Sequence, residues 1–302
     1  MALKSIVCLF EGFAHEIEAL ETAMELAQRN KSHLRIVHPQ SLPQLYLGMH
    51  GLESMRGGDF YETVERQNAE RLGQARDTAQ RLARQHAMAF DFPVKDGNGA
   101  WAQFVPLPYS TGAALVREIS LSDLIIVGQD WGWSTVSEQT TLGTALFATY
   151  RPICLVRPAK PADTSLSVVS GAKVPQWKGE TALIAWRDSA ESMRATLGAL
   201  PLLQAAKNVF IVTAHDHGTS VSAQTYLLVL DYLASHDVKA EVIDLDRGDQ
   251  SAASTVLAKA HDVGADFVTM GAYGHSVFRE MLLGGFSATM LENCQLPLIL
   301  SH

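Results

Sequence analysis

Short, unbroken apolar runs alternate along this chain with longer stretches in which apolar residues recur every three or four positions. The first run, 5-SIVCLFEG-12, has the length and composition of a buried strand. It is followed by 14-AHEIEALETAMELAQRN-30, where Ile17, Leu20, Met24 and Ala27 share one helical face. A strand at 33-HLRIVHP-39, a long helix at 62–86, a strand near 87-AMAFDFPV-94, a helix at 111-TGAALVREIS-120, and strands at 122-SDLIIVG-128 and 152-PICLVRP-158 come next. The order then recurs. Strand 181-TALIAWRDS-189 leads to a helix at 190–206 that carries Pro201, then to strand 208-NVFIVTAH-215. A helix at 219–237, strand 239-KAEVIDLD-246, and a helix at 250–264 with Val256, Leu257 and Ala260 inward follow. Strands 265-ADFVTMG-271 and 296-LPLIL-300 close the series.

Strands alternating with helices predict an α/β fold with parallel, doubly wound sheets, because parallel strands need helical crossovers and are buried on both faces. Two such series predict two tandem, mostly parallel five-stranded sheets. The stretches SDLIIVGQ and ADFVTMGA are their clearest matched pair. The expected division is a first domain at 1–158, a linker rich in Pro, Ser and Gly at 159–178, and a second domain at 179–302. The first half also carries two stretches without a counterpart. These are 40-QSLPQLYLGMHGLESMRGGDF-60 and 96-DGNGAWAQFVPLPYS-110, both read as loop, either a cover over a crevice or a substrate lid.

Charge narrows the partners. Lys plus Arg number 24 against 32 Asp plus Glu, a net −8, and this argues against nucleic acid as a partner. Cys8, Cys154 and Cys294 are far apart and lie in or beside apolar segments, so they read as buried thiols in a reducing compartment. No run reaches the roughly 18 apolar residues of a membrane span. The start does not read as a signal peptide. The expectation is a soluble cytoplasmic protein.

The stretch 266-DFVTMGAYGHSVFREMLLGGFSATML-291 is the chemically informative one. Gly271 ends a strand, Gly274 follows, and Gly284-Gly285 precedes a helix beginning at Phe286. In a doubly wound sheet ligands bind at the carboxyl ends of the strands, where this loop lies. The start of the last helix offers backbone N–H groups and a positive dipole end to an anion, and Ser287 adds a hydroxyl. The bland reading of the same spacing is a helix–break–helix connection whose glycines are helix caps.

The spacing G-x2-G-x9-G over Gly271, Gly274 and Gly284 resembles the motif of the universal stress protein (UspA-like) family, and the resemblance covers both halves of the chain. It implies the adenine-nucleotide α-hydrolase-like fold in tandem. It also implies a nucleotide site for ATP or a related adenine nucleotide with Mg in the second half. The nucleotide would be held at Gly271, Gly274, His275, Gly284, Gly285, Phe286 and Ser287, with its phosphates on the start of the last helix and its base near Ala185, Trp186, Arg187 and Val212. The family places an Asp after the first strand. Here Arg187 stands there, with Asp188 beside it, and Glu11 takes that place in the first half. Gly285 replaces the family's hydroxyl residue after Gly284. In the first half the motif is degraded to Gly128 and Gly143-Thr144, with Trp131 where the second glycine would fall, so no nucleotide is expected there.

Other candidates are weaker. His215-x-His217 with Asp216 lacks a third spaced metal ligand, and His275 reads as a loop residue or a ligand contact. Glu16, Glu18, Glu21 and Glu25 read as a solvated helix face. There is no P-loop and no nucleophile elbow, and Ser189 and Ser276 have no base and acid in sequence reach. The reading is a non-enzymatic stress-response or signalling protein. Its halves would form an intramolecular pseudo-dimer through 152-PICLV-156 and 296-LPLIL-300, with a homodimer as a further expectation. The alternatives are a nucleotide-independent interaction module of the same fold and a slow nucleotide hydrolase.

Overall fold

The computed structural model describes residues 2–40, 57–92, 99–107, 112–130, 136–158, 177–216, 223–272 and 285–302. They form two compact units. The first comprises residues 3–151 and 156–158, the second residues 1–2, 152–155 and 159–302.

In the first unit five parallel strands are ordered β3-β4-β2-β1-β5. They are β1 (Ser5–Leu9), β2 (His33–Pro39), β3 (Ala89–Phe90), β4 (Trp101–Leu107) and β5 (Leu124–Gly128). The apolar runs that announced β1 and β5 are buried almost throughout, as strands covered on both faces must be. Helix α1 (Ile17–Asn30) follows β1 and buries Leu20, Met24 and Ala27. It ends on Lys31 in the left-handed region, φ 52°. The long helix α2 spans Gly57–Gln85, α3 Gly112–Ile119 and α4 Val136–Ala148.

Two expectations change here. The sequence predicts loop over 96–110, yet residues 101–107 form β4, in register with β2 from His33↔Trp101 to Pro39↔Leu107. The cause is an alternation that buries Ala102 and Phe104, reinforced by the Trp101 indole stacked on His33 at 3.7 Å. The strand expected over 87–94 shrinks to Ala89–Phe90 because Asp91, at φ 64°, turns the chain. Its carboxylate accepts the Phe104 N–H at 2.9 Å and pairs with Arg76. The stretch 41–56 lies outside the described residues.

The second unit has five parallel strands ordered β9-β8-β7-β10-β11. They are β7 (Thr181–Ala185), β8 (Asn208–His215), β9 (Ala240–Asp246), β10 (Phe267–Gly271) and β11 (Leu298–Ser301). From β6 (Ile153–Val156), Ile153 to Leu155 run antiparallel on β11, with Leu155↔Leu298 and Ile153↔Leu300. The helices are α5 (Ala190–Ala205), α6 (Ala223–Ser235), α7 (Ala252–Asp262) and α8 (Phe286–Asn293). Pro201 lies inside α5, which runs through it as one helix.

The same clasp starts the first parallel strand of each unit, β1 and β7. The Asp123 carboxylate accepts the N–H groups of Lys4 (2.7 Å) and Ser5 (2.9 Å). The Asp266 carboxylate accepts those of Glu180 (2.8 Å) and Thr181 (2.9 Å). These aspartates are the polar residues that open the matched stretches SDLIIVG and ADFVTMG. All three cysteines are buried, as expected, and complete burial pushes the Cys154 thiol up to about 12.

Candidate functional site

In the second unit the strand order reverses at β7, which lies between β8 and β10. Such a reversal opens a crevice beyond the strand ends, and here it holds a cavity of about 200 Å³. Its walls come from the segment after β7 (Ala185, Trp186, Arg187), the start of α5, the end of β8 (Val212, Thr213), α7, Gly271 and the start of α8 (Phe286, Ser287).

Local hydrogen bonds set this geometry. The Trp186 N–H donates to the Val212 carbonyl at 2.8 Å, which carries the β7 ladder one residue past the strand. The Thr213 hydroxyl donates to the Trp186 carbonyl at 3.1 Å. Ser189 caps α5 and accepts the Ser192 N–H at 3.3 Å, while the Ser192 hydroxyl accepts the Arg187 N–H at 3.4 Å. Gly271 is required by close approach. A Cβ there would lie 2.6 Å from the Ser192 nitrogen and 2.7 Å from the Glu191 carbonyl carbon. Helix α8 begins at Gly285, which provides no side-chain cap. Arg187 is exposed, and among the described residues no carboxylate lies within ion-pair distance of it, Asp188 included. Glu191, on the same wall, pairs with Arg194 at 3.3 Å.

The first unit has the same backbone at this place and a different interior. Leu9 pairs with Val37 and Val127, as Ala185 pairs with Val212 and Met270. Counting on from these residues, Glu11 stands where Arg187 does and Glu16 where Ser192 does. A Cβ on Gly128 would lie 2.8 Å from the Glu16 Cα, the counterpart of the approach at Gly271. Glu16 Oε2 accepts the N–H groups of Glu11 and Phe13, both at 2.9 Å. The Thr141 hydroxyl donates to Glu11 at 3.4 Å, and Arg157 to Gln129 at 3.2 Å. Only about 10 Å³ is left there.

The expectation of a solvated acidic face on the first helix therefore fails at Glu16. It lies in the 3-10 turn before α1, is 5% exposed, and turns inward because two backbone N–H groups bind it. Burial pushes its carboxyl up to about 8, and the nearby Glu11 charge adds to the rise. Hydrogen bonds from the backbone of Phe13, Glu11 and Gly12 oppose it.

No protein-family model matches the sequence, and no curated protein matches it. Solved structures do. A universal stress protein from Archaeoglobus fulgidus DSM 4304 aligns over 98% of this chain and 97% of its own, with TM-score 0.66 and 10% identity. A putative universal stress protein from Pseudomonas aeruginosa UCBPP-PA14 aligns over 99% and 93%, with TM-score 0.53 and 13% identity. The fold is that of the universal stress proteins. A further universal stress protein structure, in complex with cAMP, aligns over 41% of this chain and 97% of its own, with TM-score 0.33 and 19% identity.

Within this universal stress protein fold, Ala185, Trp186, Arg187, Val212, Gly271, Phe286 and Ser287 all line the one cavity, and Gly285 caps the helix at its edge. Gly274, His275, Gly284 and Trp131 lie outside the described residues. The sequence reading missed Ser192 and Thr213 as wall residues and left Ser189 without a role. Their signal was present: a serine three residues before another serine at a helix start, and a threonine in an otherwise apolar strand end. His215 Nε2 lies 3.3 Å from Asp244, and His217 lies outside the described residues. Among the described residues, no group of three or more His, Cys, Asp or Glu side chains is placed to hold a metal, and no helix is long and apolar enough to cross a membrane.

Proposed function

We propose that this is a cytoplasmic stress-response or signalling protein of the universal stress protein type that binds an adenine nucleotide in its second unit and does not turn it over. The observation that carries the reading is the contrast between the units: a cavity of about 200 Å³ at the switch point of the second, about 10 Å³ at the matching place in the first. In this reading the phosphates lie against the start of α8, at Gly285, Phe286 and Ser287, with Gly271, Gly274, His275 and Gly284 shaping the loop. The adenosine lies along Ala185, Trp186, Arg187 and Val212. ATP with Mg is the proposed ligand, because helix-start amides and a cation together suit a polyphosphate. The first unit then serves as a scaffold, since Glu16 fills its crevice.

The test is acid extraction of the purified protein for bound nucleotide, followed by titration of the stripped protein with ATP and Mg while its Tm is followed. A ligand that binds only the folded state raises the Tm, by an amount set by its concentration over Kd. Gly274→Val is expected to abolish the rise. No rise at millimolar ATP overturns the proposal and leaves a nucleotide-independent interaction module. Phosphate release above the Gly274→Val background shows a hydrolase instead.

A further inference from the structure

We propose that the ligand carries a second anionic group, a phosphate on the ribose, and that Arg187 binds it; this rests on the nucleotide reading above and says which nucleotides the cavity takes. The basis is a charge inversion between matched positions. After its first strand the first unit carries Glu11, buried at 3% exposure and held by the Thr141 hydroxyl. The second carries Arg187 at the same register, exposed on the cavity wall.

The Arg187 backbone is fixed, since its N–H donates to the Ser192 hydroxyl and the preceding residue is tied to Val212. Among the described residues no carboxylate neutralises the Arg187 guanidinium, and Glu191 on the same wall is paired with Arg194. The same cavity wall carries the hydroxyls of Ser189, Ser192 and Thr213 beside the Glu191 carboxylate.

A ribose with free hydroxyls is recognised in doubly wound folds by a carboxylate, which accepts from both hydroxyls. An arginine cannot accept a hydrogen bond. It presents a planar fork of donors that fits a phosphate with two parallel bonds. Replacing acceptor by donor at the adenosine end therefore turns a hydroxyl site into a phosphate site. With the helix start of α8 taking the 5′-phosphates, the cavity holds an anion at each end. The ligand class is an adenosine nucleotide phosphorylated on the ribose as well as at the 5′ position.

The experiment is titration calorimetry of the full chain, at fixed ionic strength, with adenosine 5′-monophosphate, adenosine 2′,5′-bisphosphate and adenosine 3′,5′-bisphosphate. One bisphosphate is expected to bind about ten- to a hundredfold tighter than the monophosphate, the effect of a charge-assisted pair. The better isomer identifies the hydroxyl that is modified. Arg187→Ala is expected to erase that advantage, so that neither bisphosphate binds tighter than the monophosphate; being at an exposed position, it should fold. Arg187→Lys is expected to restore part of it. Equal affinity for all three ligands overturns the inference and leaves the nucleotide reading standing. So does a uniform loss in Arg187→Ala, which assigns the guanidinium to the 5′ chain. Failure of all three ligands and of ATP to bind overturns both.

Discussion

Glu16 and Ser192 occupy the same place in the two units, each beneath the glycine that ends the strand next to the unit's first parallel strand and each accepting the N–H of the residue two positions after that first strand, Glu11 or Arg187. The hydroxyl is short and leaves the crevice open. The carboxylate is longer and fills it. Ser192→Glu should therefore reproduce the first unit's closed interior in the second. The expected outcome is a folded protein whose Tm no longer responds to millimolar ATP with Mg. A retained response places the ligand elsewhere.

The raised pKa of Glu16 sets a pH dependence. The ordinary value is 4.5 and the folded value about 8. Between them the unfolded chain releases the proton while the folded protein keeps it. Stability from this group is therefore complete below 4.5 and is lost as pH rises toward 8, at a slope of at most about 1.4 kcal/mol per pH unit. Glu16→Gln keeps an acceptor for the Glu11 and Phe13 N–H groups and cannot ionise. Urea unfolding at intervals from pH 5 to 8.5 should show the variant gaining steadily on the parent protein. Parallel curves refute a neutral Glu16.

The aspartate clasps should be worth more than their exposure suggests. Asp266→Ala leaves the Glu180 and Thr181 N–H groups without their acceptor, and Asp123→Ala does the same to Lys4 and Ser5. Each variant should lose roughly 2–4 kcal/mol in urea unfolding, two charge-assisted bonds at the lower end of their range. Asp249→Ala, at an exposed position, should change stability by less than about 0.5 kcal/mol.

Two glycines predict opposite signs. Gly271→Ala puts a Cβ 2.6 Å from a backbone nitrogen and should destabilise by about 1–3 kcal/mol. Gly143 lies inside α4 with nothing within 4 Å of a Cβ, so Gly143→Ala should stabilise by about 0.5–1 kcal/mol. Thermal melts of the two variants against the parent decide both.

The elements that were legible in the sequence are those whose pattern is local. SDLIIVG and ADFVTMG are strands because an aspartate clasp precedes an apolar run, and both signs are written in consecutive residues. Strand β4 was hidden because Pro106, glycines and a neighbouring stretch of loop residues obscured the alternation at Ala102 and Phe104. Its partner β2 lies far away in sequence, and only the paired structure supplies the missing bonds. Arg187 and Gly271 could be placed at the strand ends from spacing alone. Glu16 could not, since periodicity assigns faces within a helix and this residue precedes one. Its burial is decided by two backbone N–H groups that no side-chain pattern records.

The clasps also join residues that leave the ribosome at different times. Ser5 meets Asp123 across 118 residues, and Thr181 meets Asp266 across 85. Each of these strands, β1 and β7, is made first among the strands of its parallel sheet and gains its second neighbour only near the end of that sheet's synthesis. During translation it has one open hydrogen-bonding edge, a surface that nascent chains elsewhere bury or hand to chaperones.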